Sequence, residues 1–312
     1  MAKVITVGEI LVEVMAKEVG QGFLTPGEFL GPYPSGAPAI FIDQAARMGA
    51  SCGIIARVGK DDFGVLNTGR LKSDGVDTSR IIETPDYSTG TAFVTYFPDG
   101  GRKFIYHFTH AACGVLSPDD IDEDYIGSAG YLHIMGCSLS ASESMRQAIL
   151  KAVTIAKEKG VRISFDPNIR PELLNAEGIR KVFDSILDRV DILLTGEGEA
   201  LTLTGCDRLE AAVSALKSRG ISVIVVKNGS KGAKVFSDGG LIEAAPFKVV
   251  EVDPTGAGDC FDGAFIASLA EGASLKEAVT AANAAGALGV TKKGPMEGAS
   301  FKKDILKLIS ER

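Results

Sequence analysis

Histidine, cationic side chains and long apolar runs are all scarce in this 312-residue chain, and each scarcity closes off a class of function. There are only three histidines, and His107 and His110 do not make a metal cluster by themselves, so they read as ordinary strand and loop residues. Five cysteines (Cys52, Cys113, Cys137, Cys206 and Cys260) are dispersed with no C-x-x-C pair. That excludes a disulfide frame or zinc site and predicts reduced thiols. Lysine and arginine total 33 against 40 acidic residues, a formal charge of −7. A nucleic-acid binder needs the opposite balance to displace counterions, so any phosphate must be held locally. No apolar run approaches the roughly 18 residues that span a bilayer. The opening MAKVITVGEILVEVM places Glu9 and Glu13 where a signal peptide has apolar residues, so a cytoplasmic location is expected. Also missing are the P-loop pattern G-x-x-x-x-G-K-[ST], a strand followed by G-x-G-x-x-G, and the H-R-D and D-F-G elements of protein kinases.

What is present is a packed, alternating chain. Apolar residues make up 45% and charged residues 23%, which favours a folded core over disorder. Short apolar runs at 3–8, 52–59, 131–135, 161–166, 191–195 and 222–227 alternate with helical stretches near 38–48, 62–73, 142–159, 177–188 and up to about 219. The runs are continuous rather than alternating, as a parallel sheet covered on both faces requires. The expected fold class is therefore α/β, a three-layer doubly wound, mostly parallel sheet in a single domain over 1–312. Two stretches break the rhythm. Residues 9–34 are rich in glycine and proline, and residues 88–108 read as two β segments about a Pro-Asp-Gly-Gly turn. Together, over about 9–34 and 88–112, they predict a small β lid that excludes water from a site. The tail is helical over 256–271, 274–290 and 301–311.

The densest chemical signal is VDPTGAGDCFDGAF at 252–265. Thr255 suits an N-cap, while Gly256 and Gly258 leave backbone N–H groups bare at a helix start, where an anion is favoured. Asp259 in the first turn is placed to take a proton from a hydroxyl while those amides hold a phosphoryl group. The residues alone fit equally a glycine-rich helix start whose aspartate complements the dipole.

Asp253-Pro-Thr-Gly-Ala-Gly-Asp259-Cys-Phe resembles the D-T-x-G-A-G-D-x-F signature of the ribokinase-like (PfkB) carbohydrate kinases, with Pro254 in place of the usual threonine. The resemblance runs nearly end to end. VGEILVEV, Ser35-Gly36-Ala37, VGKDDFG at 58–64, Asp166-Pro-Asn168-Ile-Arg170, Lys227-Asn-Gly229-Ser-Lys-Gly232 and Asn283-Ala-Ala-Gly286-Ala follow in the family's order. The resemblance implies an ATP-dependent sugar kinase. Asp259 would be the base, and the amides of Gly256, Ala257 and Gly258 the anion hole. Lys227, Gly229, Ser230, Gly232 and Asn283 would approach the nucleotide. Asp253 and the Thr255 carbonyl resemble the family's monovalent-cation (K+) site, closed by 289–298 and so including Gly294. Glu199 stands where the family places a glutamate serving Mg2+ and phosphate, although Gly196 replaces its asparagine. Read without the family, Gly229 and Gly232 fit a hairpin turn and Glu199 an exposed helical carboxylate.

For the sugar, the resemblance points to Glu13, Gly36, Ala37, Tyr106, Phe108, His110, Asp166, Asn168, Arg170 and Asp259. Glu13 replaces a frequent aspartate, and Gly36-Ala37 replaces Gly-Gly-Asn or Gly-Asn, which disfavours ribose. The pattern is closest to fructokinases and 2-keto-3-deoxygluconate kinases. Phe108 stands where the acid-sugar enzymes carry a lid arginine, and His110 where they carry a serine. A carboxylate thereby loses a bidentate partner, and a neutral ketohexose of tagatose or fructose type is expected. Arg170 remains as an anchor for the alternative, a carboxylated keto-sugar. A catalytically silent sensor on this fold would have no need of Asp259. The apolar strand TAFVTYF in an isolated flap predicts a homodimer through the lid.

Overall fold

Continuous apolar strands feed side chains to both faces of one large sheet, and the helices cover those faces. The computed structural model describes residues 3–169 and 178–312. In chain order the strands are β1 Lys3–Val7, β2 Leu11–Ala16, β3 Phe29–Ser35, β4 Cys52–Gly59, β5 Ile81–Thr84, β6 Gly90–Tyr96 and β7 Arg102–His107. They continue with β8 Ala129–Met135, β9 Arg162–Asp166, β10 Ile192–Gly196, β11 Val223–Lys227, β12 Ala233–Ser237 and β13 Gly240–Ala244. The large sheet has the order β13-β12-β11-β10-β9-β8-β1-β4-β5. Pairing is parallel from β11 through to β5, and only β12 and β13 add antiparallel strands at one edge. The mostly parallel α/β sheet expected from the sequence is what forms.

Alternation within the runs explains the two cores. In β1, Ile5 and Val7 enter one core while Val4 enters the other; in β11, Ile224 and Val226 part from Val223 and Val225 in the same way. The helices Glu143–Glu158, Ile179–Leu187 and Leu209–Ser218 cover the first face through Ile149, Val153, Phe183, Ile186 and Leu216. Ala37–Arg47, Ala257–Ala270 and Leu275–Gly289 cover the second through Phe41, Phe265 and Val279. Gly286 and Gly289 let that last helix lie against Ala257, whose atoms would be 3.3 Å from a Cβ at either position.

The second sheet has the order β3-β2-β6-β7. It leaves the large sheet directly after β1, so β2 and β3 come from the glycine- and proline-rich stretch and β6 and β7 from the predicted hairpin. Asp61, from the VGKDDFG stretch, caps the helix Asp62–Ser73 by accepting from Gly64 N–H at 2.9 Å. It also accepts from the Thr89 N–H (2.7 Å) and hydroxyl (2.7 Å), which ties that helix to the root of β6. Strands β5, β12 and β13 were not among the apolar runs. They are short edge strands with mixed polarity, where a periodicity reading has least to work with.

Candidate active site

The crevice that forms where connections leave a sheet in opposite directions falls here between β1 and β8, because β4 and β5 follow β1 on one side and β9 to β11 follow β8 on the other. A cavity of about 240 Å³ lies at the carboxyl ends of these strands, between the large sheet and the lid. Its floor takes Asp166 and Lys227 from the last positions of β9 and β11, and Glu9, Cys137, Asn168 and Glu199 from just beyond β1, β8, β9 and β10. Its roof takes Arg102, Phe104 and Tyr106 from β7, and its wall takes Thr255, Gly256, Gly258 and Asp259 from the start of the helix Ala257–Ala270.

The helix start differs in one respect from the expectation. Gly256, not Thr255, is the N-cap, with φ of 79° and no side-chain cap. Only glycine fits there, since a Cβ would stand 2.2 Å from the Pro295 carbonyl oxygen. The Thr255 hydroxyl, freed from capping, instead meets the lid. Ala257 N–H makes a long bond of 3.4 Å to the Pro254 carbonyl. Asp259 is 7% exposed and faces the cavity. Its Oδ1 accepts from the Asn168 side-chain amide at 3.2 Å. Asn168 holds φ of 39°, a left-handed conformation asparagine tolerates, and its N–H donates to Asp166 at 2.8 Å. The D-P-N run thus orients the aspartate on another element 91 residues away.

Beneath them lies a buried charge cluster. Lys227 Nζ donates to Asp166 Oδ2 at 2.8 Å and to both oxygens of Asp262 at 3.0 Å. Burial works against the Lys227 ammonium, but Asp166, Asp262 and Glu199 outweigh it and hold its pKa well above the usual lysine range. Burial likewise opposes ionisation of Asp166, yet Lys227 wins and draws its carboxyl below the ordinary value. One ammonium cannot serve two carboxylates fully, so burial pushes Asp262 up. Glu199, raised by burial and by the charge of Asp166, is not an exposed carboxylate. Its oxygens accept from Ile169 N–H (2.7 Å), Gly196 N–H (2.8 Å) and the Thr195 hydroxyl (3.2 Å). Oε1 thus takes one donor and Oε2 two, and no cluster of three or more metal-ligating acidic, histidine or cysteine residues occurs among the described residues.

Among the described residues the sugar-side set converges on the cavity with one exception. Glu13 is buried and accepts from Ser35 Oγ at 3.1 Å. Gly36, with φ of 110°, brings the helix Ala37–Arg47 against β1's end, where a Cβ would meet the Glu9 carbonyl oxygen at 2.5 Å. Tyr106 stacks on Phe104 (5.3 Å) and meets Phe108 edge-on (5.1 Å). Phe108 lines the cavity and is 7% exposed. His110 is exposed in the turn after β7 and is not brought to the cavity. Arg170 lies outside the described residues. Three ionisable lining residues had no place in the sequence reading of the site. Glu9, held by Ser138 and Cys137, has a pKa raised by burial. Cys137 lies beside it. Arg102 lines the cavity from the lid, so a guanidinium is present there although Phe108 holds the position at which the resemblance places the acid-sugar arginine. The inward alternation Arg102, Phe104, Tyr106 along β7 was the signal that could have found it.

Gly229 and Ser230 form an exposed turn between β11 and β12, outside the cavity lining. Gly232 is fixed beside the Ala244 carbonyl, to which Asn283 Nδ2 donates at 3.0 Å, so this turn and Asn283 share one strip of surface. Asp253 is buried. It accepts from Thr255 N–H (3.0 Å), Gly294 N–H (3.0 Å) and the Tyr96 hydroxyl (3.2 Å). Asp253, Thr255 and Gly294, which the resemblance assigns to one cation site, are therefore joined in one hydrogen-bonded assembly.

Comparison with known proteins bears on the family and the fold. The family model described as pfkB family carbohydrate kinase matches residues 1–302. The chain is 33% identical to a probable fructokinase-4 of Arabidopsis thaliana, over 98% of this chain and 96% of that one. It is 34% identical to a 2-dehydro-3-deoxygluconokinase of Thermoproteus tenax, over 99% and 94%. Among solved structures, a provisionally named ribokinase II of E. coli, crystallised with ATP and Mg2+, is 47% identical, with TM-score 0.95 over 100% of both chains.

Proposed function

The chain belongs to the pfkB family of carbohydrate kinases and is a sugar kinase, and from that premise we propose that it phosphorylates a hydroxyl of a neutral ketohexose of tagatose or fructose type. Asp259 takes the hydroxyl proton, and the amides of Gly256 and Gly258 receive the phosphoryl oxygens, with Ala257 N–H joining as its long bond to Pro254 is given up. The observation that carries the neutral sugar is the charge of the cavity. Glu9, Glu13, Asp166, Glu199 and Asp259 line it, while Lys227 is consumed by Asp166 and Asp262. Carboxylates accept sugar hydroxyls well and repel a second acid. Magnesium enters on the nucleotide phosphates, where it neutralises their charge, and a monovalent cation is held at the Asp253–Gly294 loop. An ATP-consumption screen over neutral ketoses, aldoses, acid sugars and nucleosides tests the reading. We expect kcat/KM for D-tagatose or D-fructose to exceed that for 2-keto-3-deoxygluconate by at least about tenfold, roughly 1.4 kcal/mol.

The acid sugar is the second reading. It is favoured by the Thermoproteus tenax relative and by the presence of Arg102 in the cavity. Preference for 2-keto-3-deoxygluconate in the screen establishes it. Loss of that activity alone in Arg170→Ala then identifies Arg170 as the anchor.

For the assembly, we propose a homodimer through the outer lid face. Phe29 and Phe93 meet edge-on (6.1 Å), Phe93 meets His107 (6.1 Å), and Ile105 is 39% exposed on the same strand. A monomeric mass by light scattering at micromolar concentration would overturn it.

A further inference from the structure

Five carboxylates surround a cavity that has to admit the γ-phosphoryl group of ATP, and the charge that offsets them has to come from somewhere. Lys227 is not available, being held between Asp166 and Asp262. Arg102 is different. Among the described residues it forms no ion pair, and its hydrogen bond, from Nη1 to the Thr255 hydroxyl, is 3.2 Å long to a neutral acceptor. A guanidinium has five N–H donors; beyond this bond the described residues give it only the Phe104 ring, 5.8 Å from Cζ, and it lines the cavity. Its position is set by register. Arg102 pairs across the hairpin with Tyr96, whose hydroxyl reaches Asp253 Oδ1 at 3.2 Å and Thr255 Oγ1 at 3.5 Å. The tip of the lid hairpin is thus docked on the residue that immediately precedes the Gly256 turn.

Resting on the kinase reading above, we propose that Arg102 is a catalytic residue of the transfer step. It is a lid-borne cation that covers the phosphoryl group as it passes from ATP to the sugar. In that step the sugar oxygen forms a bond to the γ-phosphorus and the bond from that phosphorus to the β,γ-bridging oxygen breaks. ADP leaves with the electron pair, and the hydroxyl proton passes to Asp259. Negative charge spreads over the equatorial phosphoryl oxygens, which the helix amides face from the wall and Arg102 faces from the roof. Lid closure and charge stabilisation become one event, because the strand that roofs the sugar with Phe104 and Tyr106 also carries the guanidinium.

The test compares Arg102→Met, Arg102→Lys and Thr255→Val with the wild type. Arg102→Met should lower kcat about 10²–10³-fold with the neutral-sugar KM changed less than about threefold, and Arg102→Lys should recover part of the loss as a point charge. Thr255→Val removes the docking hydroxyl and leaves the guanidinium, so its loss should be at least about tenfold smaller. Calorimetric binding of ADP with aluminium fluoride should weaken at least about tenfold in Arg102→Met, with ADP alone unchanged. The proposal is overturned by an unaltered kcat, by a Thr255→Val loss equal to that of Arg102→Met, which would make Arg102 a latch, or by a loss confined to KM for 2-keto-3-deoxygluconate, which would make it a reader of the sugar's own anion. If the wild type turns over no sugar in the panel, the kinase substrate reading fails by itself. The aluminium fluoride comparison still decides Arg102.

Discussion

Lys227, at the end of β11, and Arg102, at the start of β7, face the same cavity with the same formal charge, yet their surroundings differ. Lys227 is 17% exposed and touches two carboxylates that are 4% and 0% exposed. Arg102 is half-buried and touches a threonine hydroxyl. The first charge is spent on holding the floor together, because buried carboxylates demand a partner. The second is left for a ligand, because a lid strand with one wet face needs no such pairing. A cation in a cavity is therefore read by its partners, not by its position alone.

The largest expected effect is on chemistry at the wall. Asp259→Asn should leave nucleotide binding nearly intact and lower turnover about 10²–10⁴-fold, the usual contribution of a positioned base; near-normal turnover in a folded variant would refute that role. Next comes the floor. Lys227→Met strands Asp166 and Asp262 in the interior and should cost about 3–5 kcal/mol of stability, whereas Arg102→Met should cost under about 1 kcal/mol. Equal melting shifts for the two variants would erase the contrast drawn between them. A smaller effect belongs to Glu9. Its carboxyl pKa is raised in the folded state above 4.5, so the native state holds the proton longer than the unfolded chain and stability falls as pH rises from 4.5 through the raised value. Glu9→Gln should flatten that slope in denaturation curves taken between pH 4 and 8, and an unchanged slope would show that Glu9 is not its source. The smallest effect is at His110, which is exposed and off the cavity. His110→Ala should leave kcat/KM within about twofold, and a large loss would return that histidine to the sugar.

Much was legible from residue order alone. Continuous apolar runs require burial on both faces, so the parallel sheet and its covering helices followed from β1, β4 and β8 to β11. Breakers in 9–34 and the Pro-Asp-Gly-Gly turn marked the second sheet. The helix start at Gly256 with Asp259 in its first turn is a local pattern, because its spacing along the chain is also its spacing in space. What the chain order could not show was which distant groups meet. Asp262 is one turn beyond Asp259 and reads as an ordinary helical acid, yet β11 delivers Lys227 to it from 35 residues away. Glu199 fits a surface helix, yet the loop after β9 brings Ile169 N–H onto it. Thr255 has the right chemistry for an N-cap, but the Pro295 carbonyl crowds its neighbour so closely that glycine takes that place, and the hydroxyl turns to Arg102. Local sequence determined the elements because periodicity and capping act within a few residues. Tertiary structure decided the roles of the charges, because a charge's energy depends on the partners and the burial that only the assembled fold provides.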